Sequence, residues 1–219
     1  MNDIYTNILC IHPKDETTDF LNPLGKIFGD NYRIIEDYDK SHTDILQLIE
    51  SFTKKSLIVF LGHGHTHGLS SSSTENFPSK VFIDITKANN LFKKHDVLLL
   101  ACRSSEFIGK IDLIYNTIIG FGNIISSLEE ASNEAQYETG IYRDLEQIDI
   151  DYFNKSYTDA ISKSFILVFK GKIKFNQLPT YISYLLNKSI NLILRQTKKE
   201  NRIEVAKLLF EFRNEMILK

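Results

Sequence analysis

Short apolar runs recur along the chain and predict the strands of a sheet. The two most continuous runs, residues 57–61 and 97–101, contain only aliphatic and aromatic side chains. Runs of this length without polar alternation are typical of strands buried on both faces. The run that begins at residue 117 ends at either residue 121 or about residue 127. The predicted strands are therefore residues 7–11, 31–35, 57–61, 81–85, 97–101 and 117–127.

Segments with apolar residues at helical spacing lie between these runs. In residues 41–52, for example, apolar positions recur three and four residues apart, as on one face of an α-helix. Strands that alternate with helices predict a mainly parallel sheet covered on both faces. The sequence therefore predicts an α/β fold, a three-layer α/β/α sandwich with about six strands. Helices are predicted at residues 16–28, 41–52, 86–93, 104–115, 152–170, from residue 178, and 202–218, and a Ser/Thr-rich surface loop at residues 68–76.

The chain length suits one domain with a small addition. We expect residues 1–175 to form the domain. We expect the helices of residues 176–219 to pack on that domain or to face a partner protein, because their apolar positions cover more than one face.

Two reactive side chains follow two of the predicted strands. His63 lies between two glycines directly after residues 57–61, and Cys102 follows residues 97–101. Ligands of open parallel sheets bind beyond the carboxyl ends of the strands. If the two strands are neighbours, an imidazole and a thiol face one crevice, which is the minimum apparatus for thiol nucleophilic catalysis. An ordinary histidine pKa of about 6.5 suits proton transfer at neutral pH.

Backbone donors beside the two side chains complete this hypothesis. Gly64 has no side chain to keep its N–H away from a substrate, and the N–H of Cys102 lies between a strand and a predicted helix. We expect these two groups to form an oxyanion hole for a tetrahedral intermediate.

The two motifs resemble those of the caspase-like cysteine peptidases of clan CD, which include caspases, separases and bacterial CHAT-domain proteases. In this family a strand ending in His-Gly is followed, some tens of residues later, by a strand ending in Ala-Cys or Gly-Cys. Here the motifs are FLGHG at residues 60–64 and LLAC at residues 99–102, closest in wording to CHAT proteases and separase. The resemblance covers residues 5–175. It implies a caspase-like fold, a His63/Cys102 dyad, protein or peptide substrates and no cofactor.

The same resemblance suggests a specificity pocket. In CHAT proteases and separase, acidic positions after the next strand bind a basic side chain of the substrate. On this pattern Glu130 and Asn133 would form the pocket wall, with Glu129 where the family usually has Trp. Lys14 and Asp15, after the first strand, would line the same pocket. Cleavage after a basic P1 residue is therefore implied, whereas an early end of the preceding strand would make both glutamates the acidic first turn of a helix.

Three other functions fit the same residues. A binding or scaffold protein could keep this fold with an inactive site. His63, His65 and His67 alternate along an extended segment and would face one side, which suits zinc ligands of a metal hydrolase. A different cysteine hydrolase, such as an acyltransferase, would use the same two side chains.

Composition and charge narrow the choice of partners and location. With 26 basic and 28 acidic residues scattered along the chain, there is no electrostatic case for direct binding of nucleic acid or a membrane. Neither a signal peptide nor a membrane-spanning stretch is expected. Cys10 and Cys102 both belong to predicted buried strands or their ends, so we expect a reducing cytoplasm. By resemblance to CHAT proteases, we expect a regulatory protein partner and a role in bacterial defence.

Overall fold

A six-stranded sheet forms the centre of the structure, a computed structural model that describes residues 5–112, 117–137, 142, 144–197 and 199–219. The strands are β1 (Ile8–Pro13), β2 (Tyr32–Ile35), β3 (Leu57–Leu61), β4 (Gly64–His65), β5 (Gly68–Ser70), β6 (Val81–Asp84), β7 (Asp96–Leu100), β8 (Ile118–Gly120) and β9 (Ile217–Leu218). The central sheet has the order β2-β1-β3-β7-β8-β9, with every neighbouring pair parallel except β8 and β9. The predicted α/β class and mainly parallel six-stranded sheet are confirmed.

Helices cover both faces of this sheet and make it the middle of three layers. The helices are α1 (Asn22–Lys26), α2 (Asp39–Glu50), α3 (Ile85–Leu91), α4 (Ser104–Gly109), α5 (Leu128–Tyr137), α6 (Gln147–Phe169), α7 (Leu178–Leu194) and α8 (Arg202–Asn214). One core lies between the sheet and α1, α6, α7 and α8. The other lies between the sheet and α2, α3 and α4.

The apolar runs fill both cores because side chains alternate across a strand. Val59 and Leu61 of β3 belong to the core beneath α6, whereas Ile58 and Phe60 belong to the core beneath α2. All four side chains are fully buried. A continuous apolar run is therefore what a central strand of this sheet requires.

Within residues 68–76, only residues 73–76 form the expected surface loop. Residues 68–70 form β5, the middle strand of a small antiparallel sheet with the order β4-β5-β6. Leu69 and Ser72 are fully buried. The Ser72 hydroxyl donates to the Ile35 carbonyl at 2.6 Å, and its N–H donates to His42 Nε2 at 3.2 Å. For residues 68–72 the prediction was wrong, because buried partners satisfy polar groups such as those of Ser72, which a composition of Ser and Thr does not reveal.

The six strands of the central sheet are not the six predicted ones. Residues 81–84 form β6 and pair in the small sheet, so they contribute nothing to the central sheet. Their place in the count is taken by β9, which lies within the segment predicted as the last helix. β9 pairs antiparallel with β8 along the edge of the sheet. Two residues carry no periodicity, so only the pairing with β8 identifies this strand.

The ends of β8 and α4 were also tested against the prediction. β8 ends at Gly120, next to the earlier of its two predicted ends, so the segment of residues 121–127 is not an extension of the strand, and Glu129 and Glu130 lie in the first turn of α5. α4 ends at Gly109 rather than continuing to residue 115, and residues 113–116 lie outside the described residues.

Residues 176–219 pack closely on the rest of the protein. Leu186 of α7 and Leu209 and Phe212 of α8 are buried in the same core as Val59 and Leu61 of β3. The Phe212 ring stacks on that of Tyr157 in α6, with the centroids 4.6 Å apart. The described residues contain no helix that combines the length and apolar character needed to cross a membrane.

Candidate active site

The ladder between β3 and β7 sets the position of both reactive side chains. The parallel register pairs Leu61 with Leu100, and the Gly62 N–H extends it by donating to the Leu100 carbonyl at 3.1 Å. His63 and Cys102 follow these last paired residues on adjacent strands. They therefore leave the same edge of the sheet, beyond the carboxyl ends of its strands.

Gly64 lies against the end of β7, which holds the two motifs together. A Cβ built on Gly64 would come within 2.8 Å of the Ala101 Cβ and 3.1 Å of the Cys102 carbonyl oxygen. No side chain fits at that distance without displacing one of the two segments. Glycine is therefore required for close packing between the histidine and cysteine motifs.

The thiol of Cys102 is held by the segment that follows β8. Its Sγ–H donates to the Ile124 carbonyl at 3.2 Å. Burial, followed by the negative charge of Glu130, raises the pKa of Cys102 from its ordinary value of 9.0 to about 11. At neutral pH the group is thus almost entirely a protonated thiol, the weaker nucleophile.

The His63 ring is half-exposed and contacts the segment that follows β1. Its Nε2 lies 2.7 Å from the Thr17 hydroxyl oxygen and 3.6 Å from Asp15 Oδ2. Asp15 caps the 3-10 helix Glu16–Leu21 and accepts the N–H of Thr17 at 3.0 Å. The imidazole is therefore oriented by a side chain from another strand end.

A small cavity joins the two reactive residues. Its lining comprises Thr18, Phe20, Leu21, Gly62, His63, Leu100, Cys102, Ile124, Ser126 and Tyr157. The volume is about 20 Å³, enough for about one water molecule. A peptide side chain does not fit this space, so the site is closed in this conformation.

Glu130 does not line the cavity but contacts Ser126, which does. Its Oε2 accepts both the Ser126 N–H at 2.7 Å and the Ser126 hydroxyl at 2.9 Å. The Ser126 carbonyl in turn accepts the Asn154 side-chain amide at 2.9 Å. The other side-chain atom of Asn154, Oδ1, is buried and has no hydrogen-bond partner among the described residues. Glu130 is thus both a first-turn residue of α5 and close enough to raise the pKa of Cys102.

The remaining predicted site residues are distributed over several positions. Asp15 lies on the histidine side and does not line the cavity. Lys14 is exposed and pairs with Glu36 and Asp37. Asn133 is an exposed residue of α5 and is outside the cavity lining. In the described part of the chain, no backbone carbonyl accepts the N–H of Cys102, which was predicted as an oxyanion donor.

His65 and His67 lie in the small sheet and its turn. The rings of His65 and His67 are 6.3 Å apart, His65 Nδ1 accepts the His67 N–H, and His67 Nδ1 lies 2.7 Å from the Thr66 hydroxyl. Among the described residues, no group of three or more His, Cys, Asp or Glu side chains could hold a metal ion. The alternating histidines therefore do not converge on a zinc site in this arrangement.

Several residues at this site carry no signal in the sequence. Thr17 belongs to a segment predicted as an ordinary helix, and Ser126 to a predicted strand. Tyr157 lies on α6, and burial together with Cys102 and Glu130 raises its pKa. Asn154 and Tyr157 are three residues apart on one face of a long helix, which is a recognisable spacing but not a motif.

The arrangement combines an imidazole, a protonated thiol and a backbone N–H at one sheet edge. With access to a carbonyl substrate, these groups are those of acyl transfer through a thioester. The carboxylate of Glu130 adds negative charge beside the thiol. No protein-family model and no curated protein sequence matches this chain.

Proposed function

We propose that the protein is a cysteine endopeptidase with a caspase-like fold that uses His63 and Cys102 as its dyad. The observation that carries this proposal is the placement of both side chains in one cavity, beyond the carboxyl ends of adjacent parallel strands. The same two residues carry the sequence resemblance to CHAT proteases and separase.

In the proposed reaction the thiol of Cys102 attacks the scissile carbonyl carbon. An S–C bond forms, the peptide C–N bond breaks, and the thiol proton passes through His63 to the leaving amine. The N–H groups of Cys102 and Gly64 stabilise the oxyanion. Water then hydrolyses the thioester, which regenerates the thiol and releases a carboxylic acid. The reaction needs no cofactor.

We further propose that the site prefers a basic P1 residue. Glu130 is the acidic group beside Cys102, and its carboxylate is held by Ser126 at the wall of the cavity. A lysine or arginine side chain entering there would find a carboxylate in a half-buried setting, where a charged hydrogen bond is strong. Asp15 contributes through His63 rather than through the pocket.

The closed cavity supports regulation by a separate protein partner. A substrate can enter only if the segment of residues 122–127 moves. The Ile124 carbonyl accepts the hydrogen bond of the thiol, and Ser126 lines the space. The thiol pKa of about 11 also keeps the nucleophile unreactive in this state. A partner that displaced this segment would open the cavity and remove both constraints.

The test is a cleavage assay with a diverse peptide library, read by mass spectrometry. The protein and its Cys102→Ala and His63→Gln variants are compared. Cleavage that disappears in both variants, with lysine or arginine at P1, supports the proposal. Glu130→Gln should lose the P1 preference, whereas Glu129→Gln, an equal charge change on an exposed neighbour, should keep it. A preference for acidic P1 residues would contradict the pocket assignment.

A second candidate is a binding or scaffold protein with an inactive site, which the protonated thiol and the small cavity favour. A peptidyl chloromethyl ketone with P1 arginine separates the two functions. Covalent labelling of Cys102 that requires His63 supports an enzyme. Labelling of Cys102 at the same rate in the wild type and in His63→Gln, with no library cleavage, supports the scaffold.

A further inference from the structure

The short helix after β1 brings a hydroxyl group and a carboxylate to the outer side of the His63 ring. Thr17 lies between Asp15 and His63. Its hydroxyl oxygen is 2.6 Å from Asp15 Oδ1 and 2.7 Å from His63 Nε2. The Thr17 N–H also donates to Asp15 Oδ1, at 3.0 Å. Both groups of Thr17 thus converge on one carboxylate oxygen.

The direction of these hydrogen bonds follows from the number of available protons. A threonine hydroxyl has one proton to donate and two lone pairs to accept with. At 2.6 Å from an ionised carboxylate, it must donate to Asp15, because two oxygen lone pairs at that distance would repel each other. Its oxygen can then only accept from His63, so Nε2 carries the proton.

The assignment of Nε2–H fixes the chemistry of the other ring nitrogen. In the neutral imidazole, Nδ1 then has the lone pair and is the atom that takes up a proton. Among the described residues, Nδ1 of His63 has no hydrogen-bond partner, whereas Nε2 contacts Thr17. When Nδ1 is protonated, the positive ring lies 3.6 Å from Asp15 Oδ2, which stabilises it.

We propose that Thr17 is a positioning residue that selects the Nε2–H tautomer of His63 and aims its basic Nδ1 at the reacting groups, with Asp15 as the anchor of Thr17. This inference rests on the proposed function for its catalytic consequence. The tautomer itself does not depend on any activity. Thr17 does not line the cavity and acts through the ring that it holds.

Two other titratable groups, His12 and Cys102, lie near His63. His12 is buried on the inner side of the same turn, where burial lowers its pKa to about 4. Cys102 has its pKa raised to about 11. Neither of these two groups therefore changes protonation near neutral pH, and the variants below are compared by the tautomer of His63 itself.

The first test is direct and needs no substrate. Nitrogen-15 NMR of the labelled protein at pH 8 distinguishes Nε2–H from Nδ1–H imidazole, and the His63 signals are identified by their loss in His63→Gln. The wild type and Thr17→Ser should show Nε2–H. Thr17→Val, which keeps the shape but removes the hydroxyl, should show a mixture of both tautomers. Thr43→Val, whose hydroxyl bonds only within α2, is the matched control and should match the wild type.

Kinetics provides the second readout on the same variants. We expect Thr17→Val to lower kcat about tenfold with KM unchanged, whereas Thr17→Ser restores kcat. A wild-type Nδ1–H signal, or a Thr17→Val signal identical to wild type, would overturn the inference. If the wild type shows Nε2–H but neither cleaves the library nor shows His63-dependent labelling of Cys102, the peptidase proposal fails while the positioning contact stands.

Discussion

The reactivity of Cys102 should reveal whether the site is closed in solution. The structure raises the pKa of this thiol from 9.0 to about 11, first through burial and then through the charge of Glu130. A pKa raised by about two units reduces the thiolate fraction at neutral pH about 100-fold relative to an unperturbed cysteine. Because the thiolate is the species that reacts, alkylation by iodoacetamide should be slower by about the same factor.

The assay follows alkylation of each cysteine by mass spectrometry from pH 7 to pH 11. Cys102 should react with a midpoint near pH 11, whereas Cys10, fully buried in the core, should stay unmodified in the folded protein. Replacing Glu130 by Gln removes the repelling charge, so the Cys102 midpoint should fall and its alkylation at pH 8 should rise severalfold. Glu129→Gln is the control and should have no effect.

A poised dyad would give a different result from this closed site. If Cys102 and His63 form a thiolate–imidazolium pair in solution, the midpoint lies near or below pH 7 and alkylation at neutral pH is fast. That outcome, or equal rates in the Glu130→Gln and Glu129→Gln variants, would refute the reasoning from burial and charge. The closed conformation would then not describe the resting protein.

Three further predictions concern stability. Burial lowers the pKa of His12 from 6.5 to about 4 in the folded protein. Between these two pH values the unfolded state therefore binds a proton that the folded state does not. The free energy of unfolding should thus fall by up to about 3 kcal/mol from pH 6.5 to pH 4. Urea titrations at both pH values should show this loss, and a His12→Gln variant with the same loss would contradict it. Gly64→Ala forces a Cβ against Ala101 and should cost about 1–3 kcal/mol, whereas Gly109→Ala, with open space around it, should not destabilise. Thermal scans of the two alanine variants test this, and equal melting temperatures would count against close packing at Gly64. Removing residues 217–219 takes away β9 and should lower the melting temperature by several degrees, and an unchanged value would mean that β9 contributes nothing to the sheet.

The central strands and the approximate location of the site could be predicted because their signals are local. Buried strands of a parallel sheet must be apolar on both faces, so β3 and β7 stand out as uninterrupted runs. The carboxyl ends of neighbouring parallel strands meet at one edge, which places His63 and Cys102 together once their strands pair.

The missed features depend on contacts between distant parts of the chain. β9 is two residues long and exists through its pairing with β8, about a hundred residues earlier. Ser72 is buried because His42 and Ile35 satisfy it. Thr17 becomes part of the site only when the turn after β1 meets the loop after β3. None of these contacts leaves a spacing or periodicity that sequence patterns detect.

The backbone ladder between β3 and β7 has a consequence for how the protein tolerates mutation. The spacing of the two motifs is set by main-chain hydrogen bonds, which every residue except proline can make. Aliphatic exchanges at Val59 or Leu98 should therefore change stability while leaving the relative position of the motifs intact. A proline at either position should separate them. In a mutational scan of these two residues, aliphatic exchanges should therefore affect expression, whereas proline should disrupt the geometry of the site.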